Sequence, residues 1–310
     1  MKFNVNQKEL QEALSYCQGV IEKRSTLQIL SNVLLNASNS KLTITATDLD
    51  LIFIHQIENV EILEEGNTTT TSSIMFDIVR KFSSDKKLNL SMSSENKLQL
   101  ESEKSIFNLN CINSSEFPLT DENFNDNTFA INSKHFLKLL NKCKFSISND
   151  ETRHYLSGIY FHQTEVEDKI YLTAVATDSH RMSISKIRLS EKINFDPIIL
   201  PKKTIFQLCS LLDNYDGDLK ISNLKSKIKF ELTNSILISK LIDGKFPNYV
   251  QVIPKNNQKK LETNLKSFLG SIDRVASVSL DKKDGVKFKL SKNTLNPVSY
   301  THLTLPTRIF

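Results

Sequence analysis

The chain repeats itself at a spacing too long for anything but whole domains. Phe3-Asn4-Val5-Asn6-Gln7-Lys8-Glu9-Leu10 returns as Phe129-Ala130-Ile131-Asn132-Ser133-Lys134-His135-Phe136. Leu30-Ser31-Asn32-Val33-Leu34-Leu35 answers to Leu156-Ser157-Gly158-Ile159-Tyr160-Phe161, and Leu42-Thr43-Ile44-Thr45-Ala46-Thr47-Asp48 to Leu172-Thr173-Ala174-Val175-Ala176-Thr177-Asp178. Phe117-Pro118 recurs as Phe246-Pro247. The matches keep one order at one spacing, about 126 to 130 residues, whereas solenoid repeats run about 20–45. A third, weaker start is Leu261-Glu262-Thr263-Asn264-Leu265-Lys266-Ser267-Phe268.

Each copy reads as strand, helix, strands, second helix, strands, an α+β pattern. In the second copy Asn132 or Ser133 caps a helix to about Lys144, with Phe136, Leu137, Leu139, Leu140 and Cys143 as its apolar stripe. Lys134, Lys138 and Lys142 fall every fourth residue on the opposite side, a single basic ridge. A further helix is expected over Thr204–Leu212, after Pro201-Lys202-Lys203. Alternation marks Lys227–Leu232 and Lys287–Leu290 as strands, and Thr68–Ser73 reads as a loop ending in a helix cap. Polar stretches at Asp121–Asn127 and Lys255–Gln258 set the expected boundaries: domains at 1–125 and 126–252, and part of a third at 253–295.

Several chemistries fall away. The seven glycines are scattered, never two within one turn, so no glycine-rich loop can bring backbone N–H groups to a phosphate. Four dispersed cysteines with no CxxC argue against a disulfide framework or a zinc site and for a reducing cytosol. The N-terminus lacks a signal-peptide core, and no cofactor is expected. Asp178-Ser179-His180 contains acid, nucleophile and base types, but neighbours on an extended segment point to alternate faces and a triad is assembled in space. A net charge of +5 permits a nucleic-acid partner without demanding one.

Taken together these motifs resemble the β subunit, or sliding clamp, of bacterial DNA polymerase III. The first copy carries Arg24-Ser25-Thr26-Leu27-Gln28-Ile29-Leu30-Ser31-Asn32 and Ala46-Thr47-Asp48-Leu49. The second carries Asp150-Glu151-Thr152-Arg153-His154-Tyr155-Leu156 and Ala176-Thr177-Asp178-Ser179-His180-Arg181-Met182, ending in Asp243-Gly244-Lys245-Phe246-Pro247. The resemblance implies a DNA-clamp fold of repeated domains, each with two inner helices and outer antiparallel sheets. It also implies a non-catalytic homodimeric ring around duplex DNA that tethers the replicative polymerase. Lys134, Lys138, Lys142, Lys202 and Lys203 suit a channel lining that attracts phosphates without reading bases. Arg24, Arg153, His154 and Tyr155 match the family's loops that approach DNA.

The resemblance further places a pocket for short peptides of the polymerase and clamp loader at Thr177, Ser179, His180, Met182, Pro247, Gln251 and Val252. The family more often has Gly at the position of Ser179 and Leu at that of Met182. A clamp-fold scaffold or regulatory protein that does not load on DNA is the alternative, and basic residues on both inner helices of each domain discriminate the two. In the first domain that support is partial, from Arg80, Lys81, Lys86 and Lys87 at or after the second helix. Asn296–Phe310 loses both the repeat and the resemblance. It reads as a foreign tail on a chain truncated inside its third domain, from which a closed dimeric ring is not expected.

Overall fold

A computed structural model describes residues 1–22, 26–94, 96–119, 128–278 and 285–299. The first copy runs β1 (Lys2–Asn6), α1 (Gln7–Cys17), β2 (Asn32–Ser38), β3 (Lys41–Thr47), β4 (Leu51–Ile57), β5 (Glu61–Glu64), β6 (Gly66–Thr71), α2 (Ser72–Val79), β7 (Lys87–Ser94), β8 (Lys97–Ser102) and β9 (Ser105–Ile112). The second repeats the order without a counterpart of β5: β10 (Thr128–Asn132), α3 (Ser133–Cys143), β11 (Gly158–Val166), β12 (Lys169–Thr177), β13 (Met182–Arg188), β14 (Ile198–Pro201), α4 (Lys202–Leu212), β15 (Asp218–Asn223), β16 (Lys227–Glu231) and β17 (Ser235–Lys240). Pairing repeats too. β1 lies on β7 as β10 lies on β15, and β2 sits between β3 and β6 as β11 sits between β12 and β14.

Local chemistry starts each first helix in the same way. The side chains of Asn6 and Asn132 accept from the N–H of Lys8 (2.9 Å) and of His135 (3.2 Å), satisfying donors that a helix leaves orphaned. Alternation then buries one face of every strand, as Leu88, Leu90, Leu98 and Leu100 of β7 and β8 show. Phe136, Leu139, Leu140 and Cys143 of α3 are buried against this core, each Leu contributing about 2 kcal/mol over an exposed one. Burial pushes the Cys143 thiol up to about 11, as suits a cysteine used for packing.

Two expectations need correction. Thr68–Thr71 is not a loop but most of β6, with Thr68, Thr69 and Thr70 buried. β-branched Thr suits a strand, and the hydroxyls of Thr69 and Thr70 donate to the carbonyls of Ile112 (2.7 Å) and Asn110 (3.1 Å). The α4 helix begins at Lys202 rather than Thr204, because Pro201 provides the start and the two lysines form the first turn.

The two copies lie together in one compact unit. β17 pairs antiparallel with β4, Ser235 against His55 through Ser239 against Leu51, so a continuous ladder joins them within one unit, Met1–Pro247. The boundary expected at Asp121–Asn127 lies outside the described residues.

A second unit begins at Asn248, ahead of the boundary expected at 252. It carries α5 (Leu265–Ala276), capped by Asn264, and a hairpin of β18 (Lys287–Ser291) and β19 (Thr294–Val298). Phe268 stacks on Phe288 at 5.7 Å. The ladder carries Asn296, Pro297 and Val298 opposite β18.

Candidate functional site

The lysine ridge of α3 is present as read. Lys134, Lys138 and Lys142 are all exposed, opposite the buried stripe. Lys134 reaches Asp216 at 2.7 Å, an exposed pair that salt and competing phosphates can readily replace. Lys202 of α4 contacts the Asn149 side chain and lies over the ring of Phe206, 6.0 Å from its centroid. Phe206 is 47% exposed, with Lys144 over it at 5.8 Å. Sequence reasoning missed Phe206 and Lys144. The available signal was a phenylalanine on the exposed stripe of a helix whose other side is already apolar.

Lys203 has a different task from the one expected. Its ammonium donates to the Val20 carbonyl at 2.7 Å and to Asp48, whose side chain is 7% exposed. Both partners belong to the first copy, so Lys203 ties the copies together and is not a spare cation. Gln207, one turn on, donates to the Tyr16 carbonyl at 2.9 Å across the same seam. Two of the basic residues at or after the end of α2 are likewise engaged. Arg80 pairs with Asp77 (2.9 Å) and Lys86 with Glu103 (2.8 Å). Arg24 lies outside the described residues.

The other residues expected to approach DNA sit on the 3-10 segment Glu151–Leu156, which departs from helical angles at Arg153. Asp150 caps it by accepting from the Thr152 N–H, and its carboxylate also receives the Thr152 hydroxyl and Arg153 Nε (2.8 Å). Those bonds, Thr152 first and Arg153 next, hold the Asp150 carboxyl below the usual carboxylate range. The exposed His154 donates from Nε2 to the Asp243 carbonyl at 3.2 Å and meets the Tyr155 ring edge-on.

Residues of the expected peptide pocket gather on the turn between β12 and β13. Thr177 Oγ1 accepts from the Ser179 N–H and donates to the Arg181 carbonyl, while Asp178 Oδ1 accepts from the N–H groups of His180 and Arg181. Burial raises the Asp178 pKa, but these bonds and the Arg181 guanidinium outweigh it and leave the pKa lowered. Ser179 takes φ +75°, a left-handed conformation, which explains why glycine is comfortable there. Its hydroxyl accepts from Arg153 Nη1 at 2.6 Å. No acid–His–Ser chain forms, because Asp178 holds backbone and Arg181 while Ser179 holds Arg153. His180 is exposed, Met182 opens β13 half-buried opposite Thr177, and Pro247 is exposed at the end of the first unit. Gln251 and Val252 belong to the second unit, both exposed on the turn Tyr249–Val252. Among the described residues no cluster could hold a metal ion, and no helix is long and apolar enough to cross a membrane.

Comparison with known proteins identifies the family. Residues 1–121 match the model of the DNA polymerase III beta subunit N-terminal domain, and residues 130–248 that of its central domain. The chain is 34% identical over 289 residues to the beta sliding clamp of Caulobacter vibrioides, covering 93% of this chain and 77% of that protein. Against the Rickettsia felis clamp it is 36% identical over 299 residues, covering 95% and 77%. Among solved structures, a Caulobacter crescentus beta sliding clamp superposes with a TM-score of 0.91 at 32% identity, covering 97% of this chain and 80% of that one. A Bartonella birtlesii sliding clamp bound to griselimycin gives 0.89 at 34% identity, covering 95% and 79%. On these matches, and on a repeat preserved from sequence to strand pairing, the chain belongs to the DNA polymerase III β-subunit family, the bacterial sliding clamps.

Proposed function

We propose that this protein serves as a processivity clamp, holding duplex DNA through the α3 ridge, its full-length form assembling head to tail with a second copy. The ridge carries the reading: three exposed lysines on one helix face attract any phosphate backbone and offer no fixed geometry for base edges. The repeat supports a homodimer of the full-length form. The last strand of the second copy, β17, docks on β4 of the first. Among the described residues its counterpart β9 has no such partner along Ser105–Asn110, and Ile106 (56%) and Phe107 (37%) stand exposed there. Among the described residues the counterpart of β4, the strand β13, pairs only with β12. One open edge of each kind suits heterologous association, which closes into a ring when the rotation permits.

Replacing Lys134, Lys138 and Lys142 by Glu tests the DNA reading. Affinity for every duplex sequence should fall by about tenfold or more at low salt, and the slope of log affinity against log salt should flatten by up to about 3. Unchanged affinity, or loss on one sequence only, refutes it. Retention of the full-length form on circular DNA that is lost on linearisation tests encirclement.

The turn Thr177–Met182, with Pro247, is the proposed dock for short peptides of the polymerase and clamp loader. It combines a half-buried Met with a few polar groups, and solved relatives from Bartonella and Pseudomonas are bound to griselimycin. Titrating griselimycin against Met182→Arg should show at least a tenfold loss, and equal affinity for both proteins removes the site from this turn.

A further inference from the structure

Two surfaces assigned to different partners share a side chain. Arg153 stands on the loop proposed to meet DNA, yet its Nη1 donates at 2.6 Å to Ser179 Oγ on the turn proposed to receive peptides. Its Nε is spent on Asp150 at 2.8 Å. Arg181, the other guanidinium nearby, pairs through Nε with Asp178 at 3.0 Å and lies over the Phe145 ring. The side chain of Arg153 is only 38% exposed, turned toward the turn and not fully out to solvent.

We propose that Arg153 is a positioning residue that couples the two surfaces through Ser179, resting on the DNA and peptide roles given above. A guest on the turn that hydrogen-bonds the Ser179 hydroxyl releases Nη1 of Arg153, which then has donors to offer a phosphate. By reciprocity, a phosphate that draws Arg153 away leaves the Ser179 hydroxyl open to a guest. The two ligands therefore assist one another. The coupling resides in Ser179, because a glycine at this position carries no hydroxyl to hold the arginine.

The test is a thermodynamic cycle on the full chain. Griselimycin is titrated with and without a saturating short duplex, and the duplex with and without griselimycin. Each ligand should tighten the other by about threefold, the size that a partly exposed charged hydrogen bond supports. Ser179→Gly, which accepts φ +75° without strain, removes the shared hydroxyl and should bring the ratio to one, whatever it costs either binary affinity. Two intact binary complexes with a ratio of one in the unaltered chain overturn the coupling alone, as does a ratio that survives Ser179→Gly. Failure of either ligand to bind by itself overturns the coupling together with the role on which it rests.

Discussion

The two copies share a frame down to single hydrogen bonds and differ in what they show to solvent. At the turn after β3, Thr47 accepts from the Leu49 N–H, and Asp48 accepts from the N–H groups of Asp50 and Leu51. After β12, Thr177 and Asp178 do the same for Ser179, His180 and Arg181, and Leu49 (φ +78°) matches Ser179 (φ +75°). The inner helices diverge. Where α3 has Lys134, Lys138 and Lys142, α1 has Lys8, Glu12 and Tyr16, and the Tyr16 hydroxyl lies 3.4 Å from the Glu12 carboxylate. Burial, and after it Glu12, raises the Tyr16 pKa. Turn and core positions are constrained by atoms on every side, so they recur. Exposed positions answer only to the partner, so they specialise.

The comparison breaks hardest at the start of β2 and β11. Gly158 sits opposite Pro201 as Asn32 sits opposite Thr71, and Asn32 is buried with its amide engaging Thr69 and Thr71. A Cβ at Gly158 would lie 2.2 Å from the Leu200 carbonyl oxygen. Gly158→Asn should cost about 3 kcal/mol, and the reverse graft, Asn32→Gly, about 1–2 kcal/mol. Urea denaturation checks both, and the opposite order would show that the two sites are not equivalent.

Next in size is the tie between the copies. Lys203→Met leaves a mostly buried Asp48 oxygen short of its cation and should cost about 1–2 kcal/mol, discounted because Lys203 is partly exposed. Ser73, which occupies the matching place in α2, should tolerate the same replacement within about 0.5 kcal/mol. Equal effects in the same urea assay would mean that Lys203 carries no special load. The smallest effect sharpens the contrast of surfaces: Glu12→Lys should raise duplex affinity at low salt by about threefold and steepen its salt slope by up to about 1. An unchanged slope would place α1 away from the DNA.

Much of the frame was legible because repetition reports on constraint. The asparagine caps, the buried stripe of α3, the alternating strands and the Thr-Asp turns all rest on local chemistry that a single sequence displays. The seam of β4 and β17 was invisible, since strand pairing at long range leaves no mark on either segment alone. Lys203 misled for a related reason: a lysine beside Lys202 reads as part of a basic surface until the fold brings Asp48 and the Val20 carbonyl to it. The threonine run misled because low complexity suggests a loop, while buried β-branched residues with hydroxyl partners form a strand. A guanidinium shared by the Glu151–Leu156 segment and the β12–β13 turn could not be inferred from spacing.

The seam also sets a problem in time. His55 and Ser235, bonded across it at 2.8 Å, are separated by 180 positions along the chain. At about 5–20 residues per second, a ribosome needs roughly ten to forty seconds to deliver the second after the first. Throughout that interval β4, with the sequence Leu-Ile-Phe-Ile-His-Gln-Ile, waits beside β3 as an uncovered apolar edge, open to the same strand of a neighbouring nascent chain. Newly made protein is thus most exposed to misassembly late in synthesis, and a holdase chaperone or slower initiation on the message should raise yield more than any stabilising change to the finished core.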